Sequence, residues 1–280
     1  MLMKFDLLRR LASSRYLLLR WPLIRHLRAI QFRRLRPLDN GRLTDRTQVV
    51  RYYWDQFLHK YQADIHGRGL EIGETSTLRR YGGQALTQAE AIDISAHSPE
   101  VAIVADLSRA DHAAADTYDC FINQFSMPVI YDVEAALYHS IRLLKPGGVL
   151  LVNFACVDYY LYRGLDMGTG APLYMYWMFT PLQVAHILHR LALTEADYQM
   201  EVCGNLFTRI AFLLNLPAEE LTDQELTFSD PGQPLLICVR VVKPANWQAV
   251  KPVYQDPCWL PQIPPARSNP ITGHYGDEYL

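Results

Sequence analysis

The sequence predicts an α/β fold in which a mostly parallel sheet is covered by helices on both faces. Strand-like and helix-like segments alternate along residues 47–243, which is the pattern of such sheets. The strand-like segments are nearly continuous apolar runs, as expected for strands buried on both faces. With 280 residues, half of them apolar, the chain can bury a sizeable core. We therefore expect one domain over residues 47–243 with two appendages.

The first appendage is a basic arm, residues 1–46. Residues 1–36 hold ten Lys or Arg against the single acid Asp6, so that this part carries about +9 and the remainder about −11. Arginines interrupt its apolar run every four or five residues, leaving no uncharged stretch of the roughly 20 residues that span a membrane. We expect a helical hairpin that docks on its own domain or a partner. A membrane-surface anchor and a transit-like or disordered leader remain alternatives.

The cysteines favour a cytoplasmic protein, peripheral to a membrane if the arm is an anchor. There are five, they are widely spaced, and no C-x-x-C pair occurs, which argues against zinc ribbons and redox motifs. His186 and His189 lie three residues apart on a predicted helix, but no third ligand accompanies them. We therefore expect no metal site.

The elements of the domain follow from periodicity and from turn residues. A helix over 47–62 has apolar residues at helical spacing, a second helix spans 132–144, and a third starts at Pro181. "KPGG" at 145–148 ends the second helix, because proline stops a helix and glycine accepts positive φ. Strands are predicted at 69–72, 91–94, 101–104, 118–125, 149–154, 198–203 and 235–242.

The second appendage is the tail, residues 244–280. It holds seven of the 17 prolines, with tryptophans and tyrosines scattered between them. Such a segment cannot form a long helix or strand. It is either an extended arm whose aromatic side chains pack on the domain, or a flexible tail.

Polar residues recur where the first four predicted strands end. The carboxyl ends of parallel strands share one edge of a sheet, and open α/β sheets bind ligands there. Asp93 could accept two hydrogen bonds from a ribose diol, and Asp106 with Leu107 offers the polar and apolar contacts that an adenine ring needs. Acids at strand ends also cap helices, so that only the joint pattern points to a nucleotide-like ligand. The candidates are Glu71, Gly73, Asp93, Asp106, Leu107, Asn123, Gln124 and Phe125.

These segments, in this order, resemble class I S-adenosylmethionine-dependent methyltransferases, and look closest to the bacterial small-molecule or glycan-modifying branch. The similarity covers roughly residues 50–243, and "LLKPGGVLL" is its most specific part. It implies a Rossmann-like, seven-stranded sheet whose last strand is antiparallel. The segments are "EIG" 71–73, Asp93, "ADL" 105–107, "YDCFINQF" 118–125, "RLLKPGGVLLVNF" 142–154 and "MFTPLQVAHIL" 178–188.

The resemblance also implies a role for each candidate and S-adenosylmethionine as the cofactor. Glu71 and Gly73 would line its methionine end, Asp93 would hold the ribose, and Asp106 with Leu107 the adenine. Asn123, Gln124 and Phe125 would lie beside the sulfonium. Thr75 stands where the family has a second glycine. The absence of G-x-G-x-x-G argues against a nicotinamide dehydrogenase.

Two functional hypotheses follow. The first is O-methylation of a small molecule or a saccharide, with no nucleic-acid partner. The strand end N-Q-F-S lacks the Asn/Asp-Pro-Pro-Tyr of N-methylating relatives, and the aromatic-rich segment 156–179 follows the fifth strand, where this family binds acceptors. Asp158 and His139 are candidate general bases. The second, suggested by Thr75, is an inactive methyltransferase fold that serves as a binding or scaffold protein.

Overall fold

A computed structural model describes residues 37–38, 46–157, 162–165 and 172–257 of the chain. Most of the basic arm and the end of the tail, residues 258–280, therefore lie outside the described residues, and so does Asp158. Within the described part, no helix combines the length and apolar character needed to cross a bilayer.

A seven-stranded sheet forms the centre of the domain. From edge to edge its strand order is β3-β2-β1-β4-β5-β9-β8, and β9 runs antiparallel to both of its neighbours while the other pairs are parallel. The predicted mostly parallel sheet with an antiparallel last strand is thereby confirmed. The strands are β1 Gly67–Ile72, β2 Leu86–Asp93, β3 Val101–Val104, β4 Tyr118–Asn123, β5 Leu144–Ala155, β6 Tyr162–Leu165, β7 Pro172–Tyr174, β8 Tyr198–Cys203 and β9 Leu236–Val242; β6 and β7 form a separate antiparallel pair.

Six α-helices occur in the described residues. Three were predicted, α1 and α3 from their apolar periodicity and α4 from its start at Pro181, whereas α2, α5 and α6 are too short to show such periodicity. The helices are α1 Val49–Lys60, α2 Ser76–Gly82, α3 Val133–Leu143, α4 Pro181–Arg190, α5 Leu206–Leu213 and α6 Asp223–Thr227.

The sheet is buried on both faces, as the apolar runs predict. In β4, Phe121 belongs to the core that packs against α3 and α4, while Cys120 and Ile122 belong to the core that packs against α1 and α5. All three side chains are fully buried. Alternate residues of one strand therefore serve two cores, which fixes the register of the strand because a slip by one residue would exchange them.

Helix α3 ends just before "KPGG", as predicted, but residues 145–148 belong to β5 and do not form a turn ahead of it. Helix α3 ends at Leu143 and β5 starts at the next residue. Gly147 has φ +80°, and its N–H donates to the carbonyl of Lys243 at 2.8 Å. A Cβ on Gly148 would lie 3.0 Å from the carbonyl oxygen of Tyr118, so that the backbones approach too closely for any side chain there.

Residues 244–257, here called the C-terminal strap, pack along the domain as an extended arm. The indole Nε1 of Trp247 donates to the carbonyl of Leu191 at 2.8 Å, and its ring lies 5.4 Å from that of Tyr138 in α3. Lys251 then pairs with Asp111 at 2.6 Å. For this part of the tail the structure agrees with the packed alternative and not with the flexible one.

We expect Lys243→Met to lower the free energy of unfolding by about 2–4 kcal/mol, because three acceptors lose a charged donor. The side chain of Lys243 is 5% exposed, and its Nζ donates to Asp116 at 2.8 Å and to the carbonyls of Arg142 and Leu144 at 3.1 and 2.7 Å. Lys251→Met is the control and should cost below about 1 kcal/mol, since Lys251 pairs on the surface. Urea titration measures both. Equal midpoints for the two variants would contradict this account.

Candidate functional site

The candidate site is the carboxyl edge of the parallel strands β1, β2, β3 and β4. Hydrogen bonds between neighbouring segments hold its loops: the N–H of Gly73 donates to the carbonyl of Ile92 at 2.9 Å, and the N–H of Ala105 donates to that of Asp93 at 2.8 Å. The segments that follow β1, β2 and β3 are thus brought side by side. This is the edge at which open α/β sheets place their ligands.

The end of β1 is organised by the buried carboxylate of Glu71, which is 0% exposed. Its Oε2 accepts from the N–H of Leu78 in α2 at 2.9 Å, and its Oε1 accepts from Nε2 of Gln124 at 2.8 Å. Gln124 also donates to Oγ1 of Thr77 at 2.7 Å and accepts from Nε1 of Trp54 in α1 at 2.9 Å. Glu71 and Gln124 therefore join β1, α2, α1 and the end of β4.

Burial raises the pKa of Glu71 to about 7, and hydrogen bonds from Thr77 and Leu78 oppose the rise. An acid whose pKa is raised on folding binds more protons in the native state than in the unfolded chain between pH 4.5 and 7. Its contribution to stability is therefore present below that window and declines as the pH rises through it. Because both oxygens are used within the protein, Glu71 supports the site instead of presenting a carboxylate to a ligand.

Gly73 and Asp93 form the open part of the edge. Gly73 has φ +81°, which favours glycine. Among the described residues beyond its chain neighbours, a Cβ placed there would meet only the Oδ2 atom of Asp93, at 3.8 Å, within 4 Å. The other oxygen of Asp93, Oδ1, accepts from the N–H and the hydroxyl of Ser95 at 3.0 and 3.2 Å. One carboxylate oxygen is thus fixed by its own loop, while the second faces the space beside Gly73.

Thr75 stands at the position of the missing glycine without closing this space. Its side chain is 1% exposed, and its hydroxyl donates to Oε2 of Glu100 at 2.6 Å. It also accepts from Nε of Arg79 at 3.0 Å. The hydroxyl is therefore held by Glu100 and Arg79, and Thr75 serves the packing between α2 and the start of β3.

The loop after β3 separates the two residues expected at an adenine ring. Asp106 is exposed and caps a 3-10 turn, Leu107–Arg109, by accepting at Oδ1 from the N–H and hydroxyl of Ser108 at 2.9 and 2.6 Å. Leu107 is 4% exposed and belongs to the core on the α3 side of the sheet. The structure therefore keeps Asp106 at the edge, whereas Leu107 packs inward, where its apolar side chain is removed from water.

The end of β4 holds a strained residue and two buried amides. Phe125 has φ +54°, a conformation that costs a bulky residue about 1–3 kcal/mol and that clusters at functional sites. Its N–H donates to Oδ1 of Asn153 at 2.8 Å, and Oδ1 of Asn123 accepts from the hydroxyl of Ser126. The Nδ2 atoms of Asn123 and Asn153 are buried and have no hydrogen-bond partner in the described part of the chain. Two donors at this edge are thus available to a ligand.

His139 lies away from the edge. It follows the first residue of α3 by six positions, about 9 Å along the helix axis, and it is 0% exposed. Its Nδ1 accepts from Nε of Arg142 at 3.2 Å, and burial, followed by the charge of Arg142, lowers its pKa to about 4. This corrects the expectation of a general base: a neutral, enclosed imidazole cannot reach an acceptor at the edge.

Sequence reasoning missed three residues that shape the site: Trp54, Thr77 and Asn153. Trp54 has the spacing of a core residue, and nothing in the sequence indicates that its indole donates to Gln124. Asn153 interrupts the apolar run of β5, and a polar residue inside a buried strand is the one signal that could have indicated it.

No metal centre is formed by the described ranges, where no group of three or more His, Cys, Asp or Glu side chains could hold an ion.

A scan against protein-family models and a search of curated proteins each find no match. Among solved structures, a methyltransferase of Mesorhizobium loti that depends on S-adenosylmethionine is 16% identical, with 67% of this chain and 96% of that chain covered and a TM-score of 0.43. One from Archaeoglobus fulgidus is 13% identical, with 69% and 94% covered and a TM-score of 0.43. Phosphoethanolamine N-methyltransferase 2 of Haemonchus contortus, solved with S-adenosyl-L-methionine, is 18% identical, with 68% and 53% covered and a TM-score of 0.44.

Because these identities and TM-scores are low, the class of fold rests on the strand order. Seven strands with one antiparallel strand next to the edge, flanked by helices, form the Rossmann-like fold of class I methyltransferases that the resemblance implies. The polar residues predicted at the strand ends lie at the carboxyl edge of that sheet.

Between pH 6.5 and pH 4, we expect the free energy of unfolding of the wild type to decrease more than that of His139→Gln. The expected difference between the two decreases is about 3 kcal/mol. The reason is that the native state holds His139 neutral while the unfolded chain takes up a proton. Glutamine keeps an acceptor for Arg142 but does not titrate. Urea unfolding at several pH values measures the difference, in which the opposite contribution of Glu71 cancels. Parallel curves for the two proteins would show that His139 protonates freely in the native state.

Proposed function

We propose that the protein is an S-adenosylmethionine-dependent methyltransferase that methylates an oxygen atom of a small molecule or a saccharide. The observation that carries this proposal is the arrangement of Gly73 and Asp93. A carboxylate oxygen of Asp93, for which the described residues supply no hydrogen-bond donor, faces the space beside a glycine with positive φ, at the end of the first strand of a class I methyltransferase fold.

The residues at the edge fit this cofactor. Oδ2 of Asp93 can accept hydrogen bonds from the ribose hydroxyls, and charge-assisted bonds of that kind contribute about 1.5–3 kcal/mol each. Asp106 is exposed one loop further along and can accept from an adenine amino group. The buried Nδ2 atom of Asn123, unpartnered in the described part, gives the site a donor beside the strained turn at Phe125. Glu71 and Gln124 hold β1 and β4 in place around these groups.

The protein's own contribution to the reaction is mainly positional. When bound, the cofactor supplies a methyl group that is already electrophilic because it is attached to a sulfonium. The chain has to hold the acceptor oxygen in line with that methyl group. Such orientation can lower the activation barrier by several kcal/mol. A water-excluding boundary on the α1 side is formed by Trp54 and Phe125, whose ring centroids lie 6.5 Å apart.

The acceptor assignment rests on two sequence features. The strand end N-Q-F-S favours oxygen over an amide or base nitrogen, and the tyrosine-rich segment 156–179 offers aromatic surfaces that suit a sugar ring or an apolar acceptor. Of that segment the structure describes residues 156–157, the β6–β7 pair and residues 175–179, whereas Asp158 lies outside the described residues. We propose Asp158 as the general base for an alcohol acceptor, since it follows directly after the end of β5.

A second candidate function is an inactive methyltransferase fold that binds a ligand or a partner. Thr75 is the observation that favours it, because a buried threonine engaged with Glu100 replaces the glycine that gives this family its close approach to the cofactor.

The basic arm suggests a partner of its own. With about +9 charge on residues 1–36, we propose that the arm contacts either an anionic membrane surface or an acidic protein face.

We expect S-adenosylmethionine at 100 times its dissociation constant to stabilise the protein by about 2.7 kcal/mol, which raises the melting temperature by several degrees. Asp93→Ala should remove this shift, because it removes the acceptor for the ribose. Glu195→Ala is the matched control, an exposed acid near the opposite edge of the sheet, and should leave the shift intact. Differential scanning fluorimetry measures all three proteins. A wild type that does not respond at millimolar cofactor would favour the second candidate function.

We expect Asp158→Asn to slow methyl transfer by about 10²–10⁴-fold while leaving the cofactor shift unchanged, since a general base contributes on that order. The assay follows tritium from labelled cofactor into a panel of alcohols and saccharides. An unaltered rate would remove Asp158 as the base and leave orientation as the source of catalysis.

A further inference from the structure

The end of the C-terminal strap reaches the same edge as the candidate site. Having passed Trp247 and Lys251, the chain arrives at Gln255, whose N–H donates to Oδ2 of Asp132 at 2.8 Å. Asp132 is the N-cap of α3, and its other oxygen accepts from the N–H of Ala135 at 3.0 Å. The strap is thereby joined to the loop that leads from β4 into α3.

One residue on either side of Gln255 contacts the loop after β3. The guanidinium carbon of Arg109 lies 3.6 Å from the centre of the Tyr254 ring, and Nη2 of Arg109 donates to Oδ1 of Asp256 at 2.6 Å. Arg109 ends the 3-10 turn that Asp106 caps. The ring of Tyr254 is therefore stacked on a side chain that belongs to the adenine-side loop of the proposed site.

The strap bridges two loops that leave neighbouring parts of the carboxyl edge. The turn 106–109 follows β3, and Asp132 ends the loop after β4. The space between these loops would hold the base of a nucleoside whose ribose is at Asp93. Tyr254 is half-buried and lies on this bridge, against Arg109.

We propose that Tyr254 is a positioning and specificity residue whose ring forms the outer wall for the adenine base of the cofactor. The proposal rests on the methyltransferase function proposed above. An adenine ring is flat and aromatic, so that a tyrosine ring held by a guanidinium gives it a stacking surface. This surface comes from the strap, a segment outside the α/β domain, and Leu107, which packs into the core, does not provide it.

The alternative is that the strap merely ties the domain together. The contacts of Trp247 and Lys251 attach the strap to the domain, and they do so independently of where the adenine base binds. The two alternatives differ in what they require at position 254. A wall for the base requires a ring and acts on the binding of the nucleoside, whereas a tie would affect the melting temperature and leave the affinity for both ligands unchanged.

The test is calorimetric titration of the full-length protein with S-adenosylhomocysteine and with 5′-methylthioadenosine, which keeps the nucleoside and lacks the amino acid. Tyr254→Ala should weaken both ligands by about tenfold, because stacking of a base on an aromatic ring contributes about 1–3 kcal/mol. Tyr254→Phe keeps the ring and should bind within about twofold of the wild type. Val253→Ala is the matched control, since the neighbouring side chain is 88% exposed, and it should bind as the wild type does.

The outcomes separate this inference from the function on which it rests. If the wild type binds neither ligand at millimolar concentration, the proposed function fails and the wall with it. If the wild type binds and Tyr254→Ala binds equally well, only the wall is overturned. Should Tyr254→Ala not fold, Arg109→Gln is the second variant. It releases the ring from its stack and should weaken both ligands, and unchanged affinity in that variant would overturn the proposal.

Discussion

The carboxylate of Glu71 is the interaction on which the geometry of the edge depends. A carboxylate without solvent exposure is costly unless hydrogen bonds replace its water. Here the backbone of α2 and the side chain of Gln124 replace it, and Gln124 is itself fixed by Trp54 and Thr77. One buried carboxyl group thus requires β1, α2, α1 and the end of β4 to keep a single arrangement. The Glu71 network does not use Asp93, so that this carboxylate remains available to a ligand.

The site divides into a supporting layer and a layer that is open to ligands. Glu71 and Gln124 belong to the first, since their polar atoms are used inside the protein. Asp93 belongs to the second, because only one of its oxygens is used by its own loop. The C-terminal strap contacts this edge as well, because Tyr254 and Asp256 both contact Arg109 in the turn after β3. We propose that this segment, which lies outside the sheet, forms one boundary of the ligand site.

The strands of the sheet could be located from sequence because buried parallel strands are continuous apolar runs. β3 was predicted with its observed bounds, whereas β2 and β5 each begin five residues before their predicted starts. Helix α2 was missed because seven residues give too little periodicity. The role of Leu107 could not be predicted from sequence, because an apolar residue at a strand end can pack either into a core or against a ligand, and the sequence does not distinguish the two. His139 shows the same limit: only its burial in α3 tells an enclosed imidazole from a catalytic one. The course of the strap depends on contacts such as Trp247 with Leu191, which are distant in the chain.

The most direct measurement is a crystal structure of the protein grown with S-adenosylhomocysteine. We predict ligand density at the ends of β1 and β2, with the ribose hydroxyls within hydrogen-bonding distance of Oδ2 of Asp93 and the backbone of Gly73 beside the ligand. Density at another place, or an Asp93 carboxylate that makes no contact with the ligand, would contradict it.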